Sequence, residues 1–267
     1  MTWGSILISE SVSLTSKASL VFRKEVCMRA FSITDIGEKR QINQDYVFCE
    51  ENPVGGLPNL FIVADGMGGH KAGDYASRFC VEAFTENIKD SKQDTHIGMI
   101  SEALQKTNDS LLKEAEDNNE LEGMGTTFVV ATILNDLLYV TNIGDSRLYI
   151  INEDIKQITV DHSLVEEMVQ TGEIDREDMR FHPNKNIITR ALGASKNIIP
   201  DYFEVNLETD DTILMCSDGL SNMVEDYEIM AIVKEYPDNL QLAAKELVKK
   251  ANENGGKDNI SIVIVKL

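Results

Sequence analysis

The stretch LFIVADGMGGHKAGD, Leu60 to Asp74, decides how the chain is read. Four apolar residues and an alanine run into Asp65, and Gly66, Gly68 and Gly69 follow at once. Such an apolar run, bounded by turn residues, predicts a strand, and the spacing beyond Ala72 predicts a helix. A carboxylate that closes an apolar strand is either a turn residue or part of a site. The glycines fit both: they permit a tight turn, and they let the backbone approach a charged group with no Cβ in the way.

The pattern extends in both directions. MRAFSITDIGEKRQINQD, from Met28, reads as a strand, a turn and a charged loop, and strands are expected at DYVFCEE and NLFIVADG, with the turn-rich NPVGGLPN between them. A helix is expected over Ala72–Lys89, its face formed by Tyr75, Phe79, Ala83 and Phe84. A second helix is expected over Thr95–Asp117, with Ile97, Ile100, Leu104, Leu111 and Leu112 apolar. GTTFVVATIL reads as a strand, and the Asn135-Asp136 turn predicts a hairpin into LLYVTNIGDSRLYII. IKQITV, YFEVNL, TILMCSDG and NISIVIVKL read as further strands. A short helix is expected near Leu164–Gln170, and two more near Val224–Glu235 and Leu240–Asn252. Strands come in groups and helices in pairs, which favours α+β over a doubly wound sheet. Two sheets face to face with helix pairs outside would use every element. Residues 1–27 are weakly patterned and are expected to be an extension outside a single domain at 28–267.

Composition narrows the function. The chain has 267 residues, 42% hydrophobic and 26% charged, an ordinary globular balance. With 45 acidic against 25 basic residues the formal charge is −20, which argues against nucleic acid and anionic membrane as partners. No apolar run approaches the roughly 20 residues that span a bilayer. No secretory leader is evident, so a cytoplasmic protein is expected. Cys27, Cys49, Cys80 and Cys216 form no CxxC pair, which leaves no zinc or redox motif. Cys80 and Cys216 lie in apolar stretches and are expected to be buried thiols.

Five acids abut apolar strands: Asp45, Asp65, Asp145, Asp218 and Asp258. One alone is a routine turn aspartate. If the strands share a sandwich, their ends can gather the five on one rim. Gathered carboxylates repel and take up protons unless a cation compensates. Oxygen ligands suit Mg²⁺ or Mn²⁺ and not zinc. Two such ions about 3.5–4 Å apart make a centre for attack on phosphorus. The Gly66 carbonyl is a further ligand candidate. Arg40, a few residues before Asp45, is either a solvated loop residue or a bidentate phosphate binder.

Seven stretches occur in the order seen in metal-dependent protein phosphatases: RQINQD (40–45), VADGMGGHKAGD (63–74), GMGTT (123–127), NIGDSRLY (142–149), ITRALG (188–193), CSDGL (216–220) and KDNIS (257–261). Over residues 28–267 the chain resembles the protein phosphatase 2C-like (PPM) family in its compact bacterial form. The resemblance implies a four-layer α-β-β-α sandwich of two antiparallel sheets flanked by helix pairs. It implies that Asp65 bridges two metal ions, Mn²⁺ or Mg²⁺, and that Gly66 binds one of them. Asp218 and Asp258 would bind the other, Asp45 would orient the water shell, and Asp145 with Asp218 would form a third metal site. Arg40 would take the substrate phosphate, and residues 161–195 would form a flap beside the site. The sequence departs from the family in having Gln44 where many members have Glu, and Met67 where many eukaryotic members have a His proposed as general acid. His70 is then the candidate proton donor, against a plain helix-start residue; water on a metal is the other donor.

The implied activity is hydrolysis of phosphoserine and phosphothreonine in proteins by a metal-bound hydroxide. The implied partners are phosphorylated proteins, a bacterial Ser/Thr kinase among them, and a monomer is expected. A narrower alternative is a phosphatase of an anti-sigma-factor antagonist. Two further readings are a non-catalytic phosphopeptide-binding member of the fold and an acidic cation-binding protein. Asp65, Asp218 and Asp258 are all present, which weighs against the first, and Arg40 weighs against the second.

Overall fold

The computed structural model describes residues 28–69 and 72–267. In chain order the elements are β1 (Arg29–Asp35), β2 (Asp45–Glu50), β3 (Leu60–Met67), α1 (Ala72–Asp90), α2 (His96–Asp117), β4 (Gly125–Thr126), β5 (Phe128–Leu134), β6 (Leu137–Ile143), β7 (Arg147–Ile151) and β8 (Ile155–Gln157). They continue as α3 (Leu164–Gln170), β9 (Asp201–Asn206), β10 (Thr212–Cys216), the single turn α4 (Asp218–Ser221), α5 (Asp226–Glu235), α6 (Leu240–Glu253) and β11 (Ile260–Lys266).

Two antiparallel sheets result. One runs β1-β11-β10-β7-β8, the other β2-β3-β5-β6-β9 with β4 attached to β3. The central strands are apolar without a break because both of their faces are covered. In β3, Leu60, Ile62 and Ala64 point to α1 and α2, while Phe61 and Val63 point to the other sheet. In β11, Ile260, Ile262 and Ile264 point to α5 and α6, and Val263 and Val265 point between the sheets. Three apolar layers therefore stack in an α-β-β-α sandwich, as expected.

Two details of the sequence reading are corrected. The face that α1 buries is Ala76, Cys80, Phe84 and Ile88. Tyr75 stands half-exposed at 36%, stacked on Phe79, with its hydroxyl donating to Glu114. The Asn135-Asp136 hairpin is present, with Leu134 opposite Leu137, but the stretch 137–151 is not one strand: β6 pairs with β5 in one sheet and β7 pairs with β10 in the other. The chain crosses between sheets at Gly144–Ser146, where Gly144 takes a φ of +112° that a side chain rarely adopts.

Cys80 and Cys216 are buried free thiols, and burial pushes both up from their ordinary pKa. Cys27, His70 and the extension at 1–27 lie outside the described residues. No helix among the described residues is long and apolar enough to cross a membrane.

Candidate active site

The strand-end acids meet at one edge of the cleft between the sheets. Asp45 opens β2 and Asp65 nearly closes β3, and the two are direct antiparallel partners. Both share the inward parity of Val47 and Val63, so both aim between the sheets. Like charges placed directly opposite are destabilising unless compensated. From the facing sheet come Asp218, just after β10, and Asp258, just before β11; Asp145 sits in the crossing from β6 to β7.

Burial acts first on Asp45, Asp65, Asp145 and Asp218, and the neighbouring carboxylates add to it. Asp45 is pushed up to about 7, and Asp218 to about 6 with Asp258 as its main neighbour. Asp65 is raised well above the usual carboxylate range by burial and then by Asp45, Asp218, Asp145 and Asp258. Asp145 is raised by burial, Asp218 and Asp161.

A second set of side chains holds the acids in place. Ser217 Oγ donates to Asp45 Oδ2 at 2.7 Å, and the Ser261 N–H donates to Ser217 Oγ at 2.9 Å, which ties the two sheets together. Thr127 Oγ1 accepts the Asp65 N–H at 2.9 Å and bonds Ser146 Oγ at 2.8 Å beside Asp145. Asn142 Nδ2 donates to the carbonyls of Gly144 and Val160, both at 3.1 Å, and so shapes the crossing. Asn222 Nδ2 donates to Asp218 Oδ2 at 2.9 Å. Asn259 donates to the Ile36 and Ile42 carbonyls and accepts the Gln44 N–H, clamping the loop that carries Arg40. Arg40 Nη2 donates to Asp258 Oδ2 at 2.6 Å. Small polar residues beside the acids (CSD, GTT, DNIS) mark where these clamps lie but not what each bonds, so the clamps escaped the sequence reading.

Glycine is required at two places. A Cβ on Gly66 would lie 2.0 Å from the Gly73 carbonyl oxygen, and one on Gly219 would lie 1.9 Å from the Asn259 carbonyl oxygen. The first contact seats α1 against the end of β3, and the second brings Asp218 beside Asp258. Gln44 serves this packing as well: its carbonyl accepts the Gly66 N–H and Ser77 Oγ, and its side chain covers Gly73.

Asp45 Oδ1, Asp145 Oδ1 and Asp218 Oδ1 are buried with no hydrogen-bond partner. An unsatisfied buried oxygen costs about 1–3 kcal/mol. Three on one acidic rim fit a hard, oxygen-seeking cation, which supplies what each lacks. Among the described residues no group of three His, Cys, Asp or Glu side chains is already drawn together as a metal-ligand set.

A family model for protein phosphatase 2C matches residues 37–251, most of the chain and all of the rim but Asp258. The chain belongs to the protein phosphatase 2C family. It is 42% identical over 244 residues to the serine/threonine phosphatase stp of Listeria innocua, covering 90% of this chain and 96% of that one. The crystal structure of the serine/threonine phosphatase Stp1 from Staphylococcus aureus superposes with a TM-score of 0.83 at 33% identity, covering 90% of this chain and 95% of that one. The catalytic domain of the serine/threonine protein phosphatase PstP, in complex with two manganese ions, gives 0.78 at 30% identity, with 90% and 97% covered.

In this phosphatase 2C chain the segment 161–195 stands beside the rim. Its ends are stitched together: Leu164 N–H donates to the Ile187 carbonyl and Thr189 N–H to the His162 carbonyl. Leu192 pairs with Thr126, next to the residue that holds Asp65. The segment roofs a cavity of about 440 Å³ whose walls include Asp145 and Asp218. At its floor Arg147 grips Asp161 with Nε and Nη2, at 3.0 and 2.7 Å, and reaches the Tyr149 hydroxyl with Nη1.

Proposed function

We propose that this chain is a metal-dependent serine/threonine protein phosphatase that hydrolyses phosphoserine and phosphothreonine in proteins. The observation that carries the reading is the rim itself: five carboxylates from both sheets, three with orphaned buried oxygens, beside one arginine. Asp65, the Gly66 carbonyl, Asp218 and Asp258 would hold two Mn²⁺ or Mg²⁺ ions, and Asp145 with Asp218 a third. Bound there, divalent cations neutralise the charge developing on phosphorus and lower the pKa of water.

The chain's own residues do the rest. Asp45, oriented by Ser217, accepts hydrogen bonds from water entering the cleft and aligns it. Arg40, placed by the Asn259 clamp, offers its guanidinium to the phosphoryl oxygens. His70 is the candidate donor of a proton to the serine or threonine oxygen that leaves. If it acts so, His70→Ala should slow a phosphothreonine peptide far more than an aryl phosphate, whose phenolate needs no proton; equal losses on both would dismiss it.

The relatives' activity and the chain's nearly full overlap with them support the same assignment. A bacterial Ser/Thr kinase is the natural counterpart, and a cytoplasmic monomer is the form in which we expect the protein to act. The decisive assay is phosphate release from a phosphothreonine peptide with Mn²⁺ or Mg²⁺, and its loss in chelator. No release at saturating metal would sink the proposal.

A further inference from the structure

The cavity beside the rim contains several cations, and all but one are engaged. Arg147 is held by Asp161. Arg176 grips both carboxylate oxygens of Glu166, at 2.8 and 3.0 Å. Arg180 pairs with Glu225 at 3.2 Å and donates to the Asn222 carbonyl. Lys185 lines the same cavity, half-buried, and its ammonium makes no ion pair among the described residues. Lys257 and Arg180 stand near enough to press its pKa down, after burial as the first cause, while Asp218 partly offsets them. A half-buried ammonium between two other cations is stabilised by any anion that reaches it.

Resting on the phosphatase reading, we infer that Lys185 is a specificity residue that reads an anionic group next to the phosphorylated residue of the substrate protein. Lys185 lines one cavity with two acids of the rim, Asp145 and Asp218, so a peptide whose phosphate reaches the rim brings its neighbouring side chains within range of the lysine. An overall charge of −20 repels acidic peptides at long range, and a local cation at the mouth is what allows an acidic segment to dock. Phe181, 82% exposed on the roof, and Tyr227, 67% exposed on the opposite wall, offer flat surfaces for the same segment. The recognised chemistry is a carboxylate or a second phosphoryl group.

The test compares kcat/KM on phosphothreonine peptides that differ at the flanking positions: Ala, Glu, phosphoserine or Lys. Wild type is expected to favour the Glu or phosphoserine peptide over the Ala peptide by about fivefold, and less at high salt. Lys185→Gln should bring that ratio close to one through KM, and Lys185→Arg should keep it. Preference for Glu alone, or for phosphoserine alone, names the source of the anion. A uniform fall on every peptide with the ratio preserved would mean that Lys185 serves the fold or the reacting phosphate, and would overturn the inference. So would a wild-type enzyme that hydrolyses all the peptides alike. Failure of wild type to act on any peptide would instead remove the phosphatase reading, and the inference with it.

Discussion

Asp65 is placed where stability and function oppose each other. Its folded pKa is raised, so its contribution to stability is present below the unfolded value and lost as pH rises through the folded one. Without metal, keeping this buried group ionised is therefore a burden on the fold. Asp65→Asn is expected to raise the melting temperature in chelator by a few degrees, to lose most of the rise that Mn²⁺ gives wild type, and to lose nearly all activity. Arg40→Ala is its counterpart: it should keep the Mn²⁺-induced rise but lose roughly 10- to 150-fold in kcat/KM, the value of a charge-assisted bond of about 1.5–3 kcal/mol. Calorimetry and kinetics on the two variants separate metal binding from phosphate binding, and an Asp65→Asn protein that retains a tenth of wild-type turnover would refute the bridging role. His162 behaves in the opposite sense. The Gly144 N–H donates to Nδ1 at 3.1 Å, so the ring proton sits on Nε2 and goes to Asp201 Oδ2. Burial lowers its pKa, so the unfolded chain binds the extra proton first. Stability should fall as pH drops below about 6.5, and His162→Gln should flatten that slope in urea melts at pH 5 to 7. The acids were readable in the sequence because each interrupts an apolar strand. Ser217, Thr127 and Asn259 were not, because a hydroxyl or amide announces itself only through its partner, and Ser217 lies 172 residues from Asp45.

At the scale of elements, the turn after β10 and the start of β11 approach as closely as two backbones can. Gly219→Ala would force its Cβ into the Asn259 carbonyl, which is backbone and cannot rotate away. A loss of about 1–3 kcal/mol is expected, together with weaker Mn²⁺ binding by titration, since the same shift moves Asp218 from Asp258. Unchanged melting and unchanged affinity would show that the turn yields freely. Strand positions were legible because apolar runs end abruptly at Gly, Asn and Asp. The face of α1 was not, because its aromatics mislead: Tyr75 and Phe79 are large yet half-exposed, and the small Ala76 and Cys80 make the close contact. The crossing at Gly144 was hidden for a different reason. A chain that changes sheets and a chain that turns back carry the same apolar–Gly–Asp–apolar pattern, and only the pairing partners tell them apart.

For the whole molecule, the layered order was legible in strands that come in groups and helices that come in pairs, and the resemblance implied the same sandwich. The order of strands within each sheet was beyond reach of periodicity, because it rests on pairings between distant segments. Residues 1–27 are weakly patterned in the sequence, and the sandwich takes up the chain with β1 at Arg29. A protein starting at Met28 is expected to keep its activity and to melt within about 2 °C of the full chain; a drop of several degrees would mean that residues 1–27 pack on the sandwich. The same sheet has a consequence for biosynthesis. β11 lies between β1 and β10, and Thr34 bonds Ser261 across 227 residues of chain. At about 5–20 residues per second, the ribosome needs roughly 10–45 s to deliver the strand that β1 awaits. Through that interval β1 has its neighbour missing, and Asp258 is the last of the five acids to emerge. The nascent chain therefore holds an unfinished sheet until β11 is made, a window in which chaperones have most to protect and the phosphatase has nothing yet to catalyse.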